Sequence, residues 1–206
     1  MTRRQREERA RIARYTRNVL RVYRKAPNSV KRAGANWYAV EADKLTALAL
    51  ELSKDRAGVI GAAAAISPGM RWDLVDYYVR ELAGPNAEQV TVPTYSHANT
   101  VKALQCLNGH APDDVLGGPK VRAFYELLRT RGESDAVVID GHAFNIARAE
   151  RTSLRGEGIP PAARVTAARY RWASKAYQRA AELLGIAPHA VQAITWLQWR
   201  NQHGIA

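Results

Sequence analysis

The chain contains a single cysteine, Cys106, among its 206 residues. One cysteine cannot form an internal disulfide, and it cannot supply the thiolates of a structural zinc site or of a cysteine-based cluster. This usage fits a reducing compartment, and we therefore expect a cytoplasmic protein.

The sequence also lacks a long apolar run. The longest, residues 58–66, is rich in Ala and Gly and is much shorter than the ~20 residues that a membrane-spanning helix needs. The N-terminus is rich in arginine but has no apolar segment of the kind found in a secretory signal. We therefore expect no membrane partner.

Strand patterns are almost absent, because only residues 136–139 resemble a strand and four residues cannot form a sheet alone. Apolar residues recur at helical spacing instead, which predicts an all-α protein of about eight to ten helices. The sequence predicts one long loop, at residues 151–164. The clearest predicted helices are residues 3–25, 36–53, 97–107 after a Ser96 cap, 141–151, 163–184 and 188–203.

Charge of one sign dominates the chain, and it is unevenly placed. The net charge is +12, and residues 1–25 hold nine arginines and one lysine against two glutamates. A basic segment on a mildly basic body predicts a polyanionic partner, usually nucleic acid. We therefore predict a basic helical arm, residues 1–26, and a single helical domain, residues 27–206.

The predicted first helix is amphipathic. Ile12, Tyr15, Val19 and Val22 form one apolar seam, and arginines cover the remaining faces. Three interpretations stay open: a solvated helix docked by its seam, a helix whose arginines follow phosphates without choosing a sequence, or a helix lying on a membrane surface. The second interpretation makes DNA-binding candidates of Arg14, Arg17 and Arg21.

Asp140 ends the apolar run at the point where a helical pattern starts. An aspartate is a favoured N-cap, because its side-chain oxygen accepts from the first free amides of the helix. The positive helix end also favours a carboxylate. A fixed carboxylate can in addition stabilise the cationic sugar that develops when a base leaves deoxyribose. The cap and the catalytic acid are compatible interpretations of this residue.

Lys120 follows a Gly117-Gly118-Pro119 turn, in which Gly118 and Pro119 fit a helix start. A cation opposes the dipole at this end, so an ordinary surface lysine is one interpretation. The other is a lysine that contacts a phosphate or the sugar, or that attacks as a nucleophile after losing its proton.

The stretch "VLGGPKVRAFYELLRTRGESDAVVIDGHAFNIA" resembles the centre of the helix-hairpin-helix DNA glycosylases, the HhH-GPD superfamily. In that family a glycine-rich hairpin is followed, in bifunctional members, by a lysine, and an Asp-x-His motif later opens a helix. Residues 58–82 and 95–107 resemble its preceding helices. The turn is shorter here than in the family, and Gly141 stands between the Asp and the His. The chain also resembles small bacteriophage proteins of unassigned function, which would work in the bacterial host cytoplasm.

The resemblance implies an HhH-GPD-like helical bundle that acts on DNA without a metal or another cofactor. It makes Asp140 the catalytic acid and Lys120 a nucleophile or phosphate contact, both opening onto one basic cleft. Gly117 and Gly118 would belong to the DNA-contacting turn, and His142 would orient the acid, contact a phosphate or simply pack.

A glycosylase holds an extruded base against aromatic or apolar walls. Trp37, Tyr38 and Trp72 are candidates for such walls, although most tryptophans of a helical protein pack in its core. Asn36 and Gln192 could contact base edges or be structural polar groups. Trp196 and Trp199, three residues apart, are expected to close the core. Further candidate phosphate contacts are Arg71, Lys102 and Arg122.

The functional hypothesis is a monomeric DNA-binding protein that acts on the N-glycosidic bond of a flipped base, with or without lyase activity. Two alternatives stay open. The fold could only grip DNA, with Asp140 as a cap and nothing more, or it could be a phage-type transferase that builds a modified base in place. The five histidines show no metal-ligand spacing, and no phosphate-binding loop or nucleophile elbow is present.

Overall fold

The computed structural model describes residues 1–152 and 164–205, and every regular element in this part of the chain is a helix. The predicted all-α class is thereby confirmed. The predicted long loop lies almost wholly outside the described residues. Two short 3-10 helices occupy Trp72–Leu74 and Ala87–Gln89. The α-helices are α1 (Arg3–Lys25), α2 (Asn28–Ala35), α3 (Trp37–Glu51), α4 (Arg56–Ile66), α5 (Val75–Ala83), α6 (His97–Leu107), α7 (Pro112–Val115), α8 (Pro119–Arg129), α9 (Gly141–Arg148), α10 (Ala167–Leu184) and α11 (Pro188–His203).

Two of these helices are additions to the predicted set. Helix α2 begins only three residues after α1 ends, with Pro27 as its N-cap. The break that the sequence indicates around Pro27 is therefore a corner between two helices rather than a loop. Helix α7 has only four residues, too few for an apolar period to be visible. Asn36, predicted to open the next helix, donates its side-chain amide to the Arg32 carbonyl (3.2 Å) and closes α2.

The described chain divides into two compact units. Unit 1 comprises Met1–Trp37 and Asp135–Ala206, and unit 2 comprises Tyr38–Ser134. The boundary predicted at residue 26 does not coincide with a boundary between these units. The reason is that α1 is not a free arm: its apolar face is part of the core of unit 1.

The core of unit 1 is built on the predicted seam of α1. Tyr15, Val19 and Val22 are buried, and Ile12 packs against the same cluster, which also contains residues of α9, α10 and α11. The Tyr15 ring meets Phe144 edge to face, with 6.2 Å between the ring centroids. A polar bond fixes the helix further, because Asn18 donates to the Ala147 carbonyl (2.8 Å). The Thr16 hydroxyl lies 2.9 Å from the Ile12 carbonyl of its own helix and 3.3 Å from that of Ala176, and its one hydrogen is shared between them.

The core of unit 2 is built on α4, whose residues 58–66 are all buried. Its small residues permit close packing against α6 and α7: a Cβ added to Gly61 would lie 2.8 Å from Pro112 and 3.0 Å from the Cys106 sulfur. The prediction of a central helix of small residues is confirmed. Burial also raises the pKa of the Cys106 thiol to about 11, which keeps it protonated at neutral pH.

A very close helix contact in unit 1 lies at Gly34. A Cβ built there would lie 2.6 Å from the backbone nitrogen and Cα of Ile194, so α2 and α11 meet nearly backbone to backbone. We expect Gly34→Ala to lower the free energy of unfolding by about 1–3 kcal/mol, because the helices must separate to admit a methyl group. Urea denaturation followed by tryptophan fluorescence measures this change.

The exposed neighbour Ala35 supplies the control for this substitution. Ala35→Ser should change the free energy of unfolding by less than about 0.5 kcal/mol. Equal stability of Gly34→Ala and wild type would contradict the close contact, since alanine is otherwise the better helix former.

Candidate functional site

Asp140 lies at the junction of a buried extended segment and α9. Val137, Val138 and Ile139 are buried, whereas Asp140 is half-buried and adopts an extended backbone. Its Oδ1 accepts a hydrogen bond from the Ala143 amide at 2.7 Å. The predicted N-cap is thereby confirmed, and the cap explains why an acid follows an apolar run: α9 begins at that point with free amides.

The second carboxylate oxygen of Asp140 is also bound. Its Oδ2 accepts from the indole Nε1–H of Trp196, on α11, at 3.0 Å. The carboxylate is therefore fixed by one backbone donor and one side-chain donor from different helices. A carboxylate has about four lone-pair positions, so each oxygen keeps capacity for one further donor.

An aromatic and cationic group adjoins this acid. The ring of Trp37 lies 6.2 Å from that of Trp196 at an angle of 58°. The Arg200 guanidinium stacks on the Trp196 indole, 4.3 Å from its ring centroid. The sequence predicts that Trp196 closes the core, but it is half-buried and binds the acid; its neighbour Trp199 is buried as expected. No spacing in the sequence links Trp196 to Asp140, because 56 residues separate them.

Two tyrosines hold the backbone on either side of Asp140. The Tyr170 hydroxyl donates to the Val137 carbonyl (2.8 Å), and the Tyr177 hydroxyl donates to the Ala143 carbonyl (3.2 Å). Burial, and to a smaller degree the charge of Asp140, raises the pKa of Tyr170 to about 12 and raises the pKa of Tyr177 still further. Both hydroxyls therefore stay protonated and keep donating at neutral pH.

The remaining predicted unit 1 residues differ in exposure. His142 is half-buried in the first turn of α9, Gln192 is buried on α11, and Asn36 is exposed at the end of α2. The Asn36 amide is already engaged with α2, which favours a structural role for it.

Unit 2 contains the glycine turn and its lysine. Gly118 has φ +78°, a conformation that favours glycine, and it is the N-cap of α8 with Pro119 in the first position. The predicted helix start is therefore confirmed. Lys120 follows, half-buried, while Gly117 and Gly118 are exposed. The Lys102 ammonium lies beside this turn, 3.4 Å from the point where a Cβ of Gly117 would be.

The other unit 2 candidates have protein partners. Arg71 forms a two-point ion pair with Asp73 (2.5 and 3.1 Å), which raises the pKa of Arg71 and offsets its charge. Arg122 donates to the Asp113 carbonyl at 3.2 Å. Trp72 donates its indole N–H to Glu41 (2.8 Å) and packs edge to face on Phe124. These contacts favour structural roles for Arg71 and Trp72.

The predicted site residues thus fall into two groups. Asp140, His142, Asn36, Trp37 and Gln192 belong to unit 1 with the α1 arginines, and the turn, its lysines, Arg71, Arg122 and Trp72 belong to unit 2. The convergence of Lys120 and Asp140 on one cleft stays a prediction.

The net positive charge of the chain lies in one of the two units. Unit 1 contains twenty-one lysines and arginines against seven acids, a net charge of +14, and unit 2 contains ten against twelve, a net charge of −2. The whole positive surplus therefore belongs to the unit that contains Asp140. A polyanion is attracted to that unit.

Residues 1–152 and 164–205 show neither a metal-binding cluster nor a membrane span. This part of the chain holds no group of three or more His, Cys, Asp or Glu side chains placed to bind a metal ion. None of its helices is long and apolar enough to cross a bilayer.

The chain belongs to a family of unknown function, DUF7178, whose model matches residues 1–203. The match covers both units and both groups of candidate residues. No curated protein and no solved structure matches the chain.

The bond between Trp196 and Asp140 can be measured by a double-mutant cycle. Asp140→Asn retains the cap, since asparagine caps as well as aspartate, and Trp196→Phe removes the indole donor together with part of the ring. The lost ring contacts with Trp37 and Arg200 occur in both arms of the cycle and cancel from the coupling energy. We expect a coupling energy of about 1 kcal/mol in urea denaturation. Trp172→Phe is the control, because Trp172 lies under Arg11 instead and should show no coupling with Asp140. Equal coupling in both cycles would refute the bond.

The buried Tyr170 hydroxyl predicts a loss of stability at alkaline pH. Its pKa is higher in the folded chain than the ordinary 10, so between pH 10 and about 12 the native state binds more protons than the unfolded state. The free energy of unfolding therefore falls as pH rises through this window. Tyr170→Phe should flatten that fall in denaturation curves recorded at several pH values. An unchanged slope would show that Tyr170 ionises as freely as a solvent-exposed phenol.

Proposed function

We propose that the protein binds DNA and acts on the N-glycosidic bond of an extruded nucleotide, with Asp140 as the catalytic acid in a fold of the HhH-GPD type. The observation that carries this proposal is the Asp140 carboxylate: half-buried, held by two donors, and part of the unit with a net charge of +14. The DNA substrate implies a cytoplasmic site of action.

The chemistry requires a negative group that does not move when charge develops. When a base leaves deoxyribose, the sugar acquires oxocarbenium character, and a preorganised carboxylate lowers the free energy of that state. Asp140 suits this role because its two donors, the Ala143 amide and the Trp196 indole, fix its orientation in advance. Its unused lone pairs can accept a proton from an attacking water.

The surroundings of Asp140 suit a flat, uncharged ligand. Trp37 and Trp196 are half-buried, and Arg200 covers one face of Trp196. Aromatic rings support an extruded base by stacking. Because these two rings contact each other, the base would lie against their outer surface rather than between them. In this proposal Trp196 replaces Trp72 as the second wall beside Trp37.

The order of elements supports the proposed fold type. A buried small-residue helix (α4) precedes α5 and α6, the glycine turn opens α8, and a buried extended segment leads to an aspartate that caps α9. This is the order of parts on which the resemblance to the glycosylase family depends.

The decisive test is Asp140→Asn. We expect this variant to lose base release by more than about a hundredfold while its duplex affinity stays within about twofold of wild type. Oligonucleotide duplexes carrying varied damaged or modified bases are incubated with the protein, treated with alkali and scored for strand breaks, and mobility shifts measure binding.

The matched control for this test is Asp135→Asn, which makes the same chemical change at an exposed acid of the same unit. This control should release bases at the wild-type rate, because it removes the same charge without touching the Asp140 carboxylate. Full turnover by Asp140→Asn would eliminate the mechanism.

Lys120 is proposed as a nucleophile or phosphate contact, and the two roles are separable. If it forms a Schiff base, borohydride traps a covalent adduct with wild type and with Lys102→Ala, but not with Lys120→Ala. The absence of an adduct from a wild-type protein that releases bases would assign the chemistry to Asp140 without a lysine nucleophile.

A second candidate function is a DNA-binding module without chemistry. It is favoured by the two bonds of Asp140, because a capped helix and a satisfied indole already account for this residue. In that case the wild-type protein shifts the duplex but produces no alkali-sensitive sites with any base tested.

A further inference from the structure

The outward face of α1 carries a regular row of arginines. Arg14, Arg17, Arg21 and Arg24 are all exposed and recur at the same intervals as the apolar seam, on the opposite side of the helix. We call these four residues the arginine ridge. Within the described chain none of the four is ion-paired, whereas Arg3 pairs with Glu7 and Arg179 pairs with Glu182. Their charge is therefore available to a partner.

The ridge is rigid, because the opposite face of α1 is locked in the core of unit 1. Val19 is fully buried, and Tyr15 and Val22 nearly so. A helix rises about 1.5 Å per residue, so the ridge presents four cations along about 15 Å at fixed intervals of about 5 Å. The helix is already folded and packed, so binding to a regular array of anions orders only the arginine side chains and not the backbone.

The same packing argues against a membrane surface as the partner. A helix that lies on a bilayer inserts its apolar face between the lipids. The apolar face of α1 is occupied by α9, α10 and α11, so the exposed side of the helix presents mainly arginines and no large apolar residue.

The absence of exposed aromatic rings on α1 argues against a single strand. Proteins that bind single-stranded nucleic acid combine cations with aromatic platforms on which the bases stack. The two aromatic residues of α1 are Tyr15, which is buried, and Tyr23, which is half-buried beneath the Lys31 ammonium at 4.9 Å. A duplex needs no such platform, since its phosphates form a stiff, regular array.

We propose that the arginine ridge is a docking surface for the phosphate backbone of double-stranded DNA, which it grips without choosing a sequence. This inference rests on the proposed function only for the choice of DNA as the polyanion. The ridge spans about 15 Å, so its own footprint on a B-form duplex is about four to five base pairs.

The test is the salt dependence of duplex binding. Each phosphate contact contributes about 0.9 to the slope of log affinity against log salt concentration. Arg14, Arg17, Arg21 and Arg24 are changed together to Gln, and binding to a random-sequence duplex of about 20 base pairs, two helical turns, is measured over a range of salt. We expect the slope to fall by about three to four, with melting temperature unchanged.

Two control variants have to behave differently. The same four positions changed to Lys retain the charge and should retain most of the slope. Arg32, Arg151, Arg164 and Arg171 are likewise exposed and form no ion pair within the described chain; changed to Gln, they remove an equal charge from the same unit off the ridge, and should lower the slope by less than about one. An equal fall in the ridge and off-ridge variants would show that net charge alone drives binding and would overturn the inference.

Two further outcomes would also overturn it. One is tighter binding of wild type to a single strand than to the duplex. The other is tighter binding to phosphatidylserine vesicles than to either nucleic acid. Base release, assayed at saturating protein in low salt, keeps the two proposals apart. If the slope is unchanged in the ridge variant, the docking proposal fails and the proposed base release is unaffected. If the slope falls but the wild-type protein releases no base, the proposed base release fails and the docking proposal stands.

Discussion

The structure of unit 1 depends on the burial of one face of α1. Tyr15, Val19 and Val22 pack against α9, α10 and α11, and Asn18 anchors the helix to the backbone of α9. This packing stabilises the helix against the mutual repulsion of its nine arginines. Helix α1 also contacts Phe144 and Ala147 of α9, and these contacts help to fix the helix that Asp140 caps.

In the proposed mechanism, the structural and the chemical role of Asp140 need not compete. The Ala143 amide that makes it a cap, and the indole that binds its other oxygen, are the donors a preorganised acid needs. The tyrosine hydroxyls add rigidity, since they bind the carbonyls of Val137 and Ala143 rather than the carboxylate. An acid held in this way is ready before any substrate arrives.

The sequence is informative wherever a single segment decides the structure. The seam of α1, the Asp140 and Ser96 caps, the glycine turn before α8 and the bounds of α11 all follow from local patterns, and the structure confirms them. Contacts between distant segments cannot be predicted in this way. The pattern of α11 favours a core position for Trp196 because that helix carries apolar residues on several sides, and only the fold brings its indole to Asp140. Arg71 and Trp72 are residue types that often bind nucleic acid, which makes them candidates in the sequence. In the folded chain Arg71 pairs with Asp73, and the Trp72 indole N–H donates to Glu41.

Helix α11 joins two features that are far apart in the sequence. Ile194 lies against Gly34 of α2, and Trp196, two positions later, binds the acid. A helix that shifts by one residue turns by about 100°, which would carry the indole away from the carboxylate. The missing side chain at residue 34 therefore admits the close approach of α2 and α11 on which this position of the indole depends. If Asp140 acts as proposed, random mutagenesis for loss of function should recover residue 34 beside the acid itself, although a glycine has no group that could take part in any reaction.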